Sequence, residues 1–301
     1  MSSADLSALQ RPNDRLLRRR VTNRGMELLA WLAAAIAVAI LVIVVWSVAK
    51  KGAGALNLDL FTKTPSALAG FVPNVKQGLA NAFVGTIVIV GIATLIALPI
   101  GILVAIYVNE FAPGSVRNGV GLVLDVLNGV PAIVIGIFVF GLIVVGHGQS
   151  ALAGSFALSV LMLPLVARST IEVLALVPSS LREASLGLGV PRWRTTVGIV
   201  LPQTVGGVVT GAVLAVARVA GETAPLLFTS SLVSNSVAWN PTKPLFSVPL
   251  AIFELSEQDS AADHALAWAG AFVLLMFILL TSLTARWLAN RSRRKLTGAS
   301  R

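Results

Sequence analysis

The sequence predicts an all-α protein that crosses a membrane six times. Hydrophobic residues make up 56% of the 301 and charged residues 12%, against roughly 25% charged in an ordinary soluble domain. Mean hydropathy is +0.86. The apolar residues fall in long runs, each able to span a hydrocarbon core of about 30 Å at 1.5 Å per helical residue. No alternating strand pattern, repeat array or low-complexity segment interrupts them. The partner implied first is the lipid bilayer.

The first span is expected over about Glu27–Ala49. Its apolar run from Leu28 holds about 22 residues, too long for the 7–15 of a signal peptide core, so it reads as an uncleaved helix. Trp31 and Trp46 bracket it, as an interfacial aromatic belt would. Residues before Arg15 read as a mobile tail. The second span is about Ala80–Asn109, uncharged between Lys76 and Glu110 and interrupted by Pro99. The third, about Gly119–Val145, carries Asp125 and Pro131. The fourth starts near Ala151 and reaches about Val177 if Arg168 is tolerated within it. The fifth is about Gln203–Thr229, and the sixth about Ala265–Ala285, flanked by Trp268 and Trp287. This gives a basic tail over 1–26, a transmembrane domain over 27–285 and a second basic tail over 286–301.

Charge sets the orientation. Formal net charge is +10. Arg11, Arg15, Arg18, Arg19, Arg20 and Arg24 precede the first span, and Arg286, Arg291, Arg293, Arg294, Lys295 and Arg301 follow the last. Basic runs invite a nucleic-acid reading. Each run here abuts an apolar segment, so the positive-inside rule accounts for them and no nucleic-acid partner is expected. Both termini are then expected in the cytoplasm, together with Glu110–Arg117 and Pro178–Pro202. Lys50–Leu79 and Ser230–His264 are expected outside. The second of these outer segments is acidic overall, with Glu254, Glu257, Asp259 and Asp263. With no cysteine, neither a disulfide nor a thiolate metal site is available. His147 and His264 are far apart, so no metal site is expected, and no Ser/His pair or HExxH points to a membrane-embedded enzyme.

Two polar features interrupt the apolar pattern. The first is the stretch 178–202, PSSLREASLGLGVPRWRTTVGIVLP. Ser180-Leu181-Arg182-Glu183 reads as a capping box. Gly187 and Gly189 should stop that helix, and Pro191 suits the first turn of a second one. The second feature is buried charge, which costs at least about 2.5–3.5 kcal/mol per group at membrane depth. Arg218 falls near the middle of the predicted fifth span, with Glu222 one turn on, where the two can pair. Gly221 and Pro225 could loosen the helix there. The pair either neutralises itself and orients the helix, or offers a guanidinium fork to an oxyanion, whose oxygens match its planar donors. Arg168 is either an inside-facing anchor at the end of the fourth span or a bundle-facing charge with Glu172 one turn below. Asp125 reads as a helix cap before it reads as an Arg partner. In the fifth span, Gly207 and Gly211 form a GxxxG that would admit a close helix partner, or are incidental glycines.

These residues also carry a resemblance. Glu183-Ala184-Ser185, Gly189, Ile199, Leu201 and Pro202 resemble, at the expected spacing, the EAA loop by which ABC importer permeases dock their ATPase. Ser185 stands where the pattern has Ala. Arg218-Val219-Ala220-Gly221-Glu222-Thr223-Ala224-Pro225-Leu226-Leu227-Phe228-Thr229 is similar to the fifth-span signature of the phosphate-specific ABC importer's A-type permease family. Asn81-Ala82, Pro99-Ile100-Gly101, Asp125-Val126-Leu127 with Pro131, and Arg168 fourteen residues before Arg182 resemble that family too. Ala132 departs from it, where a Ser is common. The resemblance runs from about Leu79 to the end of the sixth span.

It implies a type I ABC importer permease fold in the bacterial cytoplasmic membrane. It also implies a C-type permease partner, two ATPase subunits, an extracytoplasmic phosphate-binding protein, and inorganic phosphate as substrate. Arg218, Glu222, Arg168 and Asp125 would line the substrate pathway, and Glu183, Ala184, Ser185 and Gly189 would couple to the ATPase. The chain holds no G-x-x-x-x-G-K-[ST] loop. ATP and Mg are therefore expected on the partner ATPase, with no catalytic residue and no cofactor in this chain. The alternatives are a permease for sulfate or molybdate, and a subunit used mainly in phosphate signalling.

Overall fold

The computed structural model describes residues 14–66, 76–230 and 236–298. The expected mobile tail before Arg15 lies almost wholly outside them. Helix α1 spans Asp14–Ala53, so the backbone has no break where the first tail was expected to meet the membrane domain. The chain divides into two units at Lys50. The first is helical through its described residues, and most of its apolar side chains with described burial, Leu28, Trp31 and Ile43 among them, are exposed.

The second unit, from Lys51 onward, is built from helices. They are α2 (Asp59–Thr62), α3 (Ala80–Phe111), α4 (Gly114–Gly129), α5 (Ala132–His147), α6 (Ala151–Ala175), α7 (Ser179–Gly187), α8 (Arg192–Val219), α9 (Ala224–Thr229), α10 (Val248–Glu257) and α11 (Ala261–Gly298). Three of them contain π-helical turns: α3 over Tyr107–Phe111, α5 over Phe140–Val144 and α8 over Thr196–Val200. Among the described residues, five helices, counting α1, are long and apolar enough to cross a membrane, and the bent pair α4–α5 makes up to six.

The core lies between α3 and α6. Ala82, Ile89, Ala93 and Ala97 pack with Leu158, Met162 and Val166, and all seven are fully buried. Small residues on α3 let the two backbones approach, which is how helices associate where lipid offers no competing hydrophobic force. Gly101 faces Val166 closely enough that a β-carbon would meet its Cγ1 at 2.9 Å. Helix α8 also packs on α6, and α11 on α8. The GxxxG of α8 is used within this chain. A β-carbon on Gly207 would meet Val173 at 2.5 Å, and one on Gly211 would meet Ser169 at 2.5 Å.

Several sequence expectations are corrected. The third span is not one helix, because the chain turns through 95° between α4 and α5. Val130 and Pro131 are extended at the turn, with ψ of 129° and 135°. Proline forces its predecessor out of the helical region and supplies no amide. The fifth span is displaced. A continuous helix already begins at Arg192 and ends at Val219, about 42 Å long at 1.5 Å per residue. Arg218 is therefore in its last turn, not its middle.

The expected outer loop Ser230–His264 is only partly a loop. Helix α10 within it buries Val248, Leu250, Ala251 and Leu255 in the core. The approach to α10 is pinned by Ser230 Oγ donating to Leu245 O at 2.5 Å and by Val248 N donating to Thr86 Oγ1 at 2.8 Å. Gly85 on α3 has no room for a side chain, because a β-carbon would overlap the Phe246 carbonyl oxygen. Gly85→Ala is expected to destabilise the fold by about 1–3 kcal/mol, since backbone cannot step aside cheaply. A lowered melting midpoint of the detergent-purified chain checks this, and an unchanged midpoint would contradict the packing of 245–248 on α3.

Candidate functional site

Three groups of candidate side chains emerge, at three places in the fold.

The loop after α6 is the first. Helix α7 begins at Ser179 with Pro178 as its cap, and no side chain bonds its first amides. The capping box expected from Ser180 and Glu183 is thus not formed, because Pro178 takes the cap position and leaves Ser180 inside the first turn. The helix ends as expected. Gly189 adopts φ +79°, a region open to glycine without the β-carbon clash, and Val190 N donates back to Ser185 O at 3.2 Å. Pro191 then caps α8. Ser185 is buried, and its hydroxyl bonds Thr195 Oγ1 at 2.8 Å, joining α7 to the first turn of α8. The hydroxyl where the family pattern has alanine is therefore a fastening between the two loop helices. Glu183, Ala184 and Gly189 are exposed, as are Leu188 at 85% and Trp193 at 56%. A rigid loop with a carboxylate and bare apolar side chains is suited to docking another protein.

Beneath the loop lies an ion pair that the sequence reading missed. Arg182 Nε and Nη2 donate to Glu110 at 3.1 Å and 2.8 Å, while Nη1 donates to Val177 O at 2.6 Å and Nη2 to Leu174 O at 2.9 Å. Glu110 is only 7% exposed. The signal available in sequence was weak. Glu110 ends an uncharged run and Arg182 lies in the loop predicted on the same side, but the two are 72 residues apart. A cavity of about 510 Å³ opens beside this pair, lined by Arg117, Arg192 and Thr195 among others.

The second group is Arg168 and Asp125. Helix α6 runs on to Ala175, so Arg168 lies inside the helix and is not an anchor at its end. It forms an ion pair with Asp125 and donates to Gly121 O at 3.1 Å. Asp125 sits within α4 and caps nothing, and Glu172 is exposed without joining the pair. The two open onto a cavity of about 420 Å³ that also reaches Arg117 and Asn109.

The third group is Arg218 and Glu222, at the turn from α8 to α9. The helical spacing assumed for them does not hold, because α8 stops at Val219. Gly221 N and Glu222 N bond back to Arg218 O and Val219 O at 3.2 Å and 3.1 Å. Arg218 is exposed and Glu222 half-buried, and among the described residues neither side chain forms an ion pair. Arg218 is thus a guanidinium with its donors open, whereas Arg168 has its own carboxylate. Nothing in the structure brings Arg218 into the cavity that holds Arg168.

Described residues whose regular structure is helical throughout, with five or six membrane-length helices, a fastened polar loop and one open arginine at a helix end, have the build of an importer permease. Residues 97–294 match the family described as "Binding-protein-dependent transport system inner membrane component", and the chain belongs to that family. It is 38% identical over 277 residues to the "Phosphate transport system permease protein PstA" of Haemophilus influenzae, covering 91% of this chain and 96% of that one. It is 40% identical over 252 residues to the protein of the same name from Yersinia pestis, covering 82% of each. Among solved structures, a bacterial ABC transporter that imports the acidic polysaccharide alginate superposes with a TM-score of 0.58. It is 15% identical and covers 91% of this chain and 99% of that one. That likeness gives the fold alone, and it agrees with the type I importer permease fold expected from the sequence.

Proposed function

We propose that this chain is the A-type permease subunit of an ATP-driven importer of inorganic phosphate. Its phosphate-permease relatives support this reading. The observation of the chain itself that carries it is Arg218, an exposed guanidinium without an internal partner, at the end of a long apolar helix. The C-type permease would complete the pathway. Two ATPase subunits holding ATP and Mg would dock on Glu183, Ala184 and Gly189, with Ser185 bracing the loop from inside. An extracytoplasmic binding protein would deliver phosphate.

With the loop and both termini in the cytoplasm, the two arginines lie at different depths. Arg168 is about 10 Å along α6 from its loop end at Ala175, and Arg218 is about 39 Å along α8 from Arg192. Phosphate released outside reaches Arg218 first, where the open fork donates to two of its oxygens. Glu222, past the helix end and unpaired with Arg218, adds a negative charge nearby that weakens the hold on the anion. Arg168 is reached later and is held by Asp125 until the helices shift. ATP-driven closure of the ATPase moves the loop, and with it α6 and α8, which the loop joins in sequence. Hydrolysis resets the inward-facing state.

Radiolabelled phosphate uptake in phosphate-starved cells lacking this gene, complemented with the chain, tests the reading. Uptake restored by the chain and unaffected by excess sulfate or molybdate is the expected result. Uptake blocked by one of those anions would reassign the substrate.

A further inference from the structure

We propose that Arg182 and Glu110 form a positioning link that carries movement of the loop into α3. The proposal rests on the coupling-loop reading above. The loop 178–202 is joined in sequence to α6 and α8 but not to α3, whose packing against α6 forms the core. A displacement of α7 reaches α3 directly only through side-chain contacts, and the guanidinium of Arg182 makes the most directional of them.

It grips both oxygens of Glu110, which lies in the π-helical last turn of α3. It also takes the carbonyls of Leu174 and Val177, at the loop end of α6. Leu174 O in the last turn of α6 has only weak turn bonds such as that from Val177 N at 3.3 Å, Val177 O lies just beyond the helix, and a cation there also suits the helix dipole. One side chain on α7 therefore holds the ends of two spans at once. The apolar cluster alongside, Ala105, Leu174, Val177 and Val200, can slide; a planar fork on a carboxylate cannot do so without losing its bonds. The Glu110 side chain is 7% exposed while the pair is formed, and separating the pair would leave its carboxylate only Asn109 Nδ2 as a side-chain donor among the described residues.

The π turns fit this role. One, Tyr107–Phe111, carries Glu110, and another, Thr196–Val200, follows the loop on its other side. Such turns recur at functional sites, and here one ends α3 and the other lies near the start of α8. Arg182 is thus a positioning residue: it touches no substrate and sets where α3 goes.

The test uses the importer complex purified through a tag on this chain and reconstituted in proteoliposomes with its binding protein. Glu110→Gln and Arg182→Lys are expected to lower phosphate moved per ATP hydrolysed at least tenfold, with ATP hydrolysis kept within about twofold. The double variant is expected to fall no further than the worse single one, because both remove the same link. An unchanged ratio in assembled complexes would overturn the proposal.

A second measurement leaves the pair intact. The chain has no cysteine, so spin labels at Leu103→Cys on α3, Leu181→Cys on α7 and Leu283→Cys on α11 report pairwise distances. The 103–181 distance should hold constant on ATP binding while the 103–283 distance changes. A changed 103–181 distance would overturn the link even if the substitutions prevent assembly. If the ATPase fails to co-purify with the normal chain, the coupling-loop reading itself has failed. If it co-purifies and the ratio does not respond, only this link has.

Discussion

Arg218→Gln is expected to lower phosphate uptake about a hundredfold or more while leaving the chain in the membrane. The guanidinium has no ion-pair partner among the described residues, so replacing it breaks no salt bridge that the fold depends on. Removing a charge from the last turn of an apolar helix does not hinder insertion. The loss therefore falls on the anion. Two charge-assisted hydrogen bonds at about 1.5–3 kcal/mol each disappear, and each 1.4 kcal/mol is a factor of ten. Glutamine keeps most of the length but carries no charge and no fork. Uptake at matched membrane levels checks the claim, and wild-type uptake by the variant would remove Arg218 from the pathway.

Glu183→Lys is expected to cost at least tenfold in ATPase retained on the tagged chain, or in hydrolysis coupled to transport. Glu183 is exposed on α7 and forms no ion pair within the chain. Its substitution should spare the fold, which is held instead by the Ser185–Thr195 hydrogen bond and the Arg182–Glu110 pair. The surrounding loop already carries Arg182, Arg192 and Arg194. A reversal there turns an attractive contact into a like-charge one, and breaking a desolvated interfacial pair typically costs 2–5 kcal/mol or more. Unchanged co-purification and unchanged coupled hydrolysis would count against docking by this loop.

The helical class and most spans were legible because apolar runs bounded by charge are a strong local signal. The loop was legible too, since Gly187, Gly189 and Pro191 act on their own backbone. What escaped the sequence depended on distant neighbours. Pro99 and Pro164 sit within unbroken helices while Pro131 turns the chain; nothing local separates them except the helix already ending at Gly129. Helix α10 is too short to read as a span, and it is buried only because α3 and α11 pack around it. The fifth span was misplaced because apolar residues resume at Ala224–Phe228 after the break at Gly221–Thr223, so Arg218 and Glu222 read as charges inside one helix. That error also misplaced Arg218 and suggested a pairing with Glu222 that the turn prevents. Asp125 was read as a cap because its partner, Arg168, lies on another helix.

The most direct test of the central claim is ATP-driven phosphate accumulation in proteoliposomes. They would hold the purified complex, with the binding protein outside and ATP enclosed, and compare the normal chain with Arg218→Gln. The account predicts phosphate accumulation by the normal chain that needs ATP, persists in excess sulfate and molybdate, and is lost with Arg218→Gln although the complex stays assembled. Equal accumulation by both chains, or none by the normal one in an intact complex, would contradict it.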